Sequence, residues 1–449
     1  MTRDSVRILV PTGMLGAGFP QSIVDRGLEL GADVIAVDGG STDSGPYYLG
    51  TGTAKTTAAA VRRDLRMLLR AAESARIPLI VGSCGTSGTD SGVDWVFSLI
   101  QEIGTDLRVA RIYSEQRATD LKERLDRIHP LAPHGELDSS TLESCEHIVA
   151  MMGHEPIAQA LADGAGVVLA GRATDTAVAA AFPLLHGMPA GPTWHAAKIV
   201  ECGAQCTTDP RSSGVFATID ATGFTVEPLS EGVACTPHSV AAHMLYETVN
   251  PFSMREPAGT LQVADAVYKA LDHRRVRVEG SRFELAEQYT NKLEGSRITG
   301  YETMSFTAIR DPHILGQIAT WAALLRQVLV ERVSQTLALA PDDYAFDIRL
   351  YGHNAVLGTR EETPPREVGV MLLVNAADQA TATAIAKIAN PLMLHLPTPD
   401  MKHLPSLAFP FSPAETERGA AYEFVLNHVV DADSPTALFR IEFPEAARG

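Results

Sequence analysis

The sequence predicts an α/β protein. A mostly parallel, doubly wound sheet forms a large N-terminal domain, and a smaller α+β domain follows. Three observations predict it. Short apolar runs alternate with helical stretches through residues 1–211. The runs are apolar almost without break, as strands covered on both faces are. From about Ser212 the rhythm turns to paired strands, and after Pro341 strands and helices mix differently. The expected divisions are a Rossmann-like domain at 1–211, a hairpin and helical extension completing it at 212–340, and the small domain at 341–449.

The elements follow in order. VRILVPT reads as the first strand and GMLGAGF as a Gly-rich turn. PQSIVDRGLELGA is a helix with Pro20 in its first turn, where a missing N–H costs nothing. DVIAV is a strand. TAKTTAAAVRRDLRMLLRAAESARI is a helix with Val61, Leu65, Leu68 and Leu69 on one face. PLIVGS, SGVDWVFSLIQEIG, LRVARIYS, ATDLKERLDRI, HIVAMMG, PIAQALADGA, GVVLAG and TDTAVAAAFPLL continue the alternation of strand and helix. GVFATID and FTVEPL form a hairpin, and RRVRVEG is a further strand. HILGQIATWAALLRQVLVERVSQTLAL is a long amphipathic helix. The last region holds YAFDIRLYG, EVGVMLLVNA, the helix DQATATAIAKIANPLMLHL, YEFVLNHVV and LFRIEF, with TREETPP its most loop-like segment.

In parallel sheets ligands bind outside the carboxyl ends of the strands. Three polar loops leave such ends. DGGSTDSG carries Asp43, GTSGTDSG carries Ser87, Thr89 and Asp90, and GRATD carries Arg172 and Asp175. The same residue types also build turns and helix caps. Arg172 has the fork that grips a carboxylate. Lys55 and Thr56, at the start of a helix, can hold an anion. Asp43, Asp90 and Asp175 offer the oxygen ligands a divalent cation takes.

Other segments carry reactive types. Cys84 lies on a strand-to-helix turn, where a thiol can be activated, or is a small buried residue. His154, in MMGHEP, is a candidate base or metal ligand, or a partly exposed histidine of the rim. On the helix WHAAKIVECG, His195, Lys198 and Glu201 or Cys202 share a face and offer a base, an ammonium and a carboxylate, or form a solvated ion pair. Cys202 and Cys206 have a spacing that could take metal, as do His243 and Glu247. GMLGAGF departs from G-x-G-x-x-G, and GTGTAKTT departs from a phosphate loop, so neither supports a nucleotide.

A net charge of −17 argues against nucleic acid as a partner. No apolar run is long enough to span a membrane. Five irregularly spaced cysteines and no secretory signal point to a cytoplasmic protein with reduced thiols.

GRATDTAVAAAFPLLHG, WHAAKIVECGAQCT, TPHSVAAHMLYETVNPF, EPAGTL, RRVRVEGSRF and the opening GMLGAGFPQSIVDRGLELGADVIAVDGG resemble the acyclic terpene utilisation AtuA-like family, over nearly the whole chain. The resemblance implies catabolism of branched terpenes or small organic acids, and a small partner protein beside it. It carries no settled catalytic residue. Where many members read G-R-V-A-D-A, this chain reads Gly171-Arg172-Ala173-Thr174-Asp175-Thr176; Arg and Asp are kept.

The leading expectation is an enzyme that adds or eliminates water on a small carboxylate or its thioester. Arg172, Lys55, Thr56, Ser87 and Thr89 would bind substrate. His154 or His195, with Lys198 and Glu201, would move protons. A divalent metal would sit on Asp43, Asp90 and Asp175. The alternatives are a Cys84-dependent hydrolase or transferase, and a non-catalytic subunit that completes a site with a small partner. A homo-oligomer is expected of a large catabolic enzyme.

Overall fold

The computed structural model describes residues 3–356, 358, 365–405 and 407–444. Residues 359–364 of TREETPP lie outside the described residues. The chain divides into two compact units, Met1–Arg297 with Phe424–Gly449, and Ile298–Glu423. The divisions expected at 211 and 340 do not coincide with these. The chain passes between the units within two long strands, Thr290–Ile309 and Glu415–Asp431.

The first unit is mixed α/β around a ten-stranded sheet. Its centre runs Ser5–Val10, Val34–Asp38, Leu79–Gly82, Val167–Ala170 and Val109–Tyr113, all parallel. Antiparallel strands flank this centre. Val215–Asp220 pairs with Ser5–Val10 and leads through Gly223–Pro228 and Val276–Glu279 to Val267–Ala270. Arg440–Glu442 closes the other edge. The expectation of a mostly parallel sheet therefore holds only for the centre. The reason is the hairpin after residue 212: a tight turn can join only antiparallel strands, and Asp220 fixes this one by accepting from the N–H groups of Thr222 and Gly223.

Side-chain alternation places two cores on the two faces of the centre. Ile8 and Val10 face the helices Asp175–Leu185 and Ala190–Val200, packing in one core with Ala177 and Trp194. Leu9 points the other way, into a core with Leu65 and Val96 from the helices Ala58–Ala75 and Asp90–Ile103. The apolar run HIVAMMG does not join the sheet centre. Its strand, His147–Ala150, pairs antiparallel with the first half of Thr290–Ile309. An apolar run states that a strand is buried; it does not name its partner.

In the second unit, Tyr344–Tyr351, Val368–Ala376 and residues 301–309 pair antiparallel. The helices Ile318–Leu337 and Gln379–His395 share a core with this sheet. Trp321 anchors it, with its indole N–H donating to the Leu396 carbonyl at 3.0 Å. No described helix is long and apolar enough to cross a membrane.

Candidate functional site

The three polar loops meet. Gly39 N donates to Gly82 O at 2.8 Å, joining the loops after Val34–Asp38 and Leu79–Gly82. Arg172 N donates to Ser114 Oγ at 2.7 Å and Gly88 O at 3.2 Å. A Cβ on Gly88 would come within 2.1 Å of Arg172 N, so only glycine permits this approach. The Arg172 guanidinium is 5% exposed and committed within the protein. Nε donates to Glu294 Oε2 at 3.0 Å; Nη1 donates to Ala173 O at 3.0 Å, Ser83 Oγ at 3.3 Å and Asp175 Oδ1 at 3.4 Å. Burial alone would push Glu294 up; Arg172 and Lys292 hold it well below the usual carboxylate range. Arg172 thus works as a strut among loops, and a substrate carboxylate would have to displace these bonds.

Ser87 and Thr89 are buried and perform turn and cap work. Ser87 Oγ donates to Tyr48 O, and Thr89 Oγ1 accepts from Gly92 N at the start of a helix.

A cavity of about 450 Å³ opens at the carboxyl ends of Ser5–Val10 and Val34–Asp38. Asp38, Asp43, Lys55, Asp175, Cys202 and Glu247 are among its lining residues. Asp38 is buried, and burial together with the neighbouring Asp175 carboxylate raises its pKa well above the usual range. Asp175 is half-buried. Burial raises it too, against the pull of Arg172. Lys55 is exposed, with Nζ donating to Ser44 Oγ at 3.2 Å. The cavity therefore holds two carboxyl groups, Asp38 and Asp175, that burial makes harder to ionise, and an ammonium that can meet an anion.

The helix Ala190–Val200 parts His195 from the other residues expected on its face. His195 turns away, its Nδ1 2.7 Å from Ser281 Oγ and its Nε2 3.0 Å from the Tyr268 hydroxyl. Burial drives its pKa down to about 3, so it is a neutral core residue. Lys198 and Glu201 stay together, with Nζ donating to Oε1 at 2.5 Å. Burial pushes Glu201 up to about 8 despite the ammonium. Cys202 follows, and its backbone packs on the Gly-rich turn: a Cβ on Gly13 would lie 2.8 Å from the Cys202 carbonyl carbon. His243, at the end of the helix Pro237–His243, approaches the same place. Cys206 instead turns into the core beside Cys235.

Several expected residues lie elsewhere. Asp90 does not join Asp43 and Asp175. It lines a second cavity of about 650 Å³ with Glu115, Arg117 and Arg440, where burial and the Glu115 charge raise it to about 6. Thr56 lines a third, with Trp95. His154 lies against Trp194, ring centroids 5.5 Å apart, and does not line the Asp38 cavity; burial lowers its pKa. Cys84 is fully buried among Val81, Val93 and Val96, and burial and Asp38 push its thiol pKa far up, the reverse of activation.

The Gly-rich turn already has its anion. The buried carboxylate of Asp64 accepts from Gly16 N at 2.8 Å and Gly18 N at 3.2 Å. The N–H groups that could cradle a phosphate are thereby used.

Sequence reasoning passes over Asp38, Glu256 and Glu294. Asp38 has a signal, an acid ending an apolar strand at the ligand-binding edge. Glu256, raised to about 7 by burial while it accepts from Thr174 and Thr176, has none. It arrives on a hairpin some eighty positions from the residues it meets.

No curated protein and no solved structure matches the chain. The family model of the acyclic terpene utilisation family protein AtuA matches residues 52–406. That span contains Lys55, Arg172, Asp175, Glu201, Cys202 and His243, and most of the chain: the protein belongs to the acyclic terpene utilisation family AtuA.

Proposed function

We propose that the protein is an enzyme that adds or eliminates water on a small hydroxylated or unsaturated carboxylate, or its thioester. The observation that carries this reading is the pair Asp38 and Asp175, two carboxyl groups of raised pKa that share one cavity with Lys55. Two neighbouring carboxyls under burial do not both ionise readily, and in this reading one of them holds a proton. The ionised member takes the proton from the carbon next to the substrate carbonyl. The protonated member gives its proton to the departing hydroxyl. A C–H and a C–O bond break, a C=C bond forms and water leaves; hydration reverses each step. Lys55 meets the substrate's anionic group, and Arg172 holds Asp175 in place. In the same reading the enzyme is a homo-oligomer, and a small partner subunit would change its turnover on mixing.

The test is ultraviolet detection of the conjugated double bond with a panel of small hydroxy acids, unsaturated acids and their thioesters. Asp175→Asn and Asp38→Asn should each lose about 10²–10⁴ of turnover while melting like the parent. Lys55→Ala should chiefly raise KM. No turnover of the panel, or full turnover by both Asn variants, overturns the reading.

A further inference from the structure

We infer that Glu201, Cys202 and His243 form a binding site for a divalent transition-metal ion of zinc-like coordination. One ligand atom from each, a carboxylate oxygen, Sγ and a ring nitrogen, all lie within 4.8 Å of one another. They come from separate stretches of chain. Glu201 and Cys202 directly follow the helix Ala190–Val200, and His243 ends the helix Pro237–His243.

The independent observation is His243 itself. It is 5% exposed, and its Nε2 is buried with no hydrogen-bond partner. A polar ring atom left so inside a protein costs free energy unless something occupies its lone pair. A neutral imidazole offers just such a free ring nitrogen to a metal ion.

The donor set names the class of ion. Thiolate, imidazole and carboxylate together suit zinc, cobalt and their neighbours, whereas magnesium and calcium take oxygen alone. Three protein ligands leave a fourth tetrahedral position, as in sites where metal meets substrate or water. Cys202 also lines the Asp38 cavity, which gives that position somewhere to open.

Lys198 is the apparent obstacle, since an ammonium repels a dication. It engages Glu201 through Oε1, leaving Oε2 for the ion. The carboxyl groups of Asp175 and Glu256 also lie near the pair. On binding, the Cys202 thiol releases its proton to solvent and the thiolate bonds the metal.

The inference does not depend on the proposed reaction, because binding is read without turnover. The full chain, stripped with chelator, is titrated with cobalt(II) alone. The expected result is one equivalent bound with a thiolate-to-cobalt band in the near ultraviolet. That band should vanish in Cys202→Ser and persist in Cys145→Ser. His243→Gln should weaken binding by at least the roughly 10–100-fold that losing an outer-shell partner costs. A second measurement uses only the parent protein: zinc should slow alkylation of Cys202 more than tenfold, on the same scale, and leave Cys145 unchanged. Weak cobalt binding with no thiolate band, a band that survives in a folded Cys202→Ser variant, or unprotected Cys202 would overturn the site.

Discussion

His195 has no exposed surface, and its two ring nitrogens are met by the hydroxyls of Ser281 and Tyr268. Burial lowers its pKa to about 3. In the unfolded chain the same ring takes a proton below about pH 6.5. Its contribution to stability is therefore complete above that pH and is lost as the pH falls toward the folded value. His195→Asn can keep the Ser281 contact but does not titrate. Between about pH 7 and pH 4 the parent's melting temperature should fall more than the variant's, so that the two curves converge. Parallel curves would show that His195 is protonated in the fold. Residue types alone do not separate this histidine from His243, whose Nε2 is left without a partner. Spacing on a helix says which residues share a face. It does not say whether that face meets a cavity or a core.

At the scale of elements, the polar loops were the most legible part of the site. T-D-S-G after an apolar run marks a loop at the carboxyl end of a strand, and both copies lie there. Their aspartates nonetheless face different cavities, because Asp43 belongs to a short helical turn and Asp90 opens a fourteen-residue helix. Loop residues can be placed at an edge from sequence; the direction each side chain takes depends on the turn that follows. Arg172 binds these loops through Glu294, which a sequence separation of 122 residues hides. Removing one partner of a buried ion pair strands the other. Arg172→Met should cost about 3–5 kcal/mol in chemical denaturation, and adding Glu294→Leu should recover much of it. An unchanged midpoint for Arg172→Met would show that the guanidinium is free, and would return it to the substrate.

For the whole molecule, the sequence revealed the parallel centre because each of its strands is followed by a helical stretch with its own periodicity. The antiparallel flanks escaped because a hairpin such as Val215–Asp220 with Gly223–Pro228 is recognisable without showing which edge it joins. The long strand Thr290–Ile309 was least legible, since polar residues interrupt the alternation that marks a strand, and of Glu415–Asp431 only the half YEFVLNHVV stood out. What survives all of this is a site assembled at the carboxyl edge, with Asp38, Asp175 and Lys55 on one cavity. The direct test is proton exchange. The protein is incubated in heavy water with the panel of small acids and thioesters, and deuterium gained at the carbon beside the carbonyl is followed by mass spectrometry. The account predicts exchange with the parent protein and its loss in a natively folded Asp175→Asn variant. Equal exchange by both, or none by the parent with any member of the panel, would contradict it.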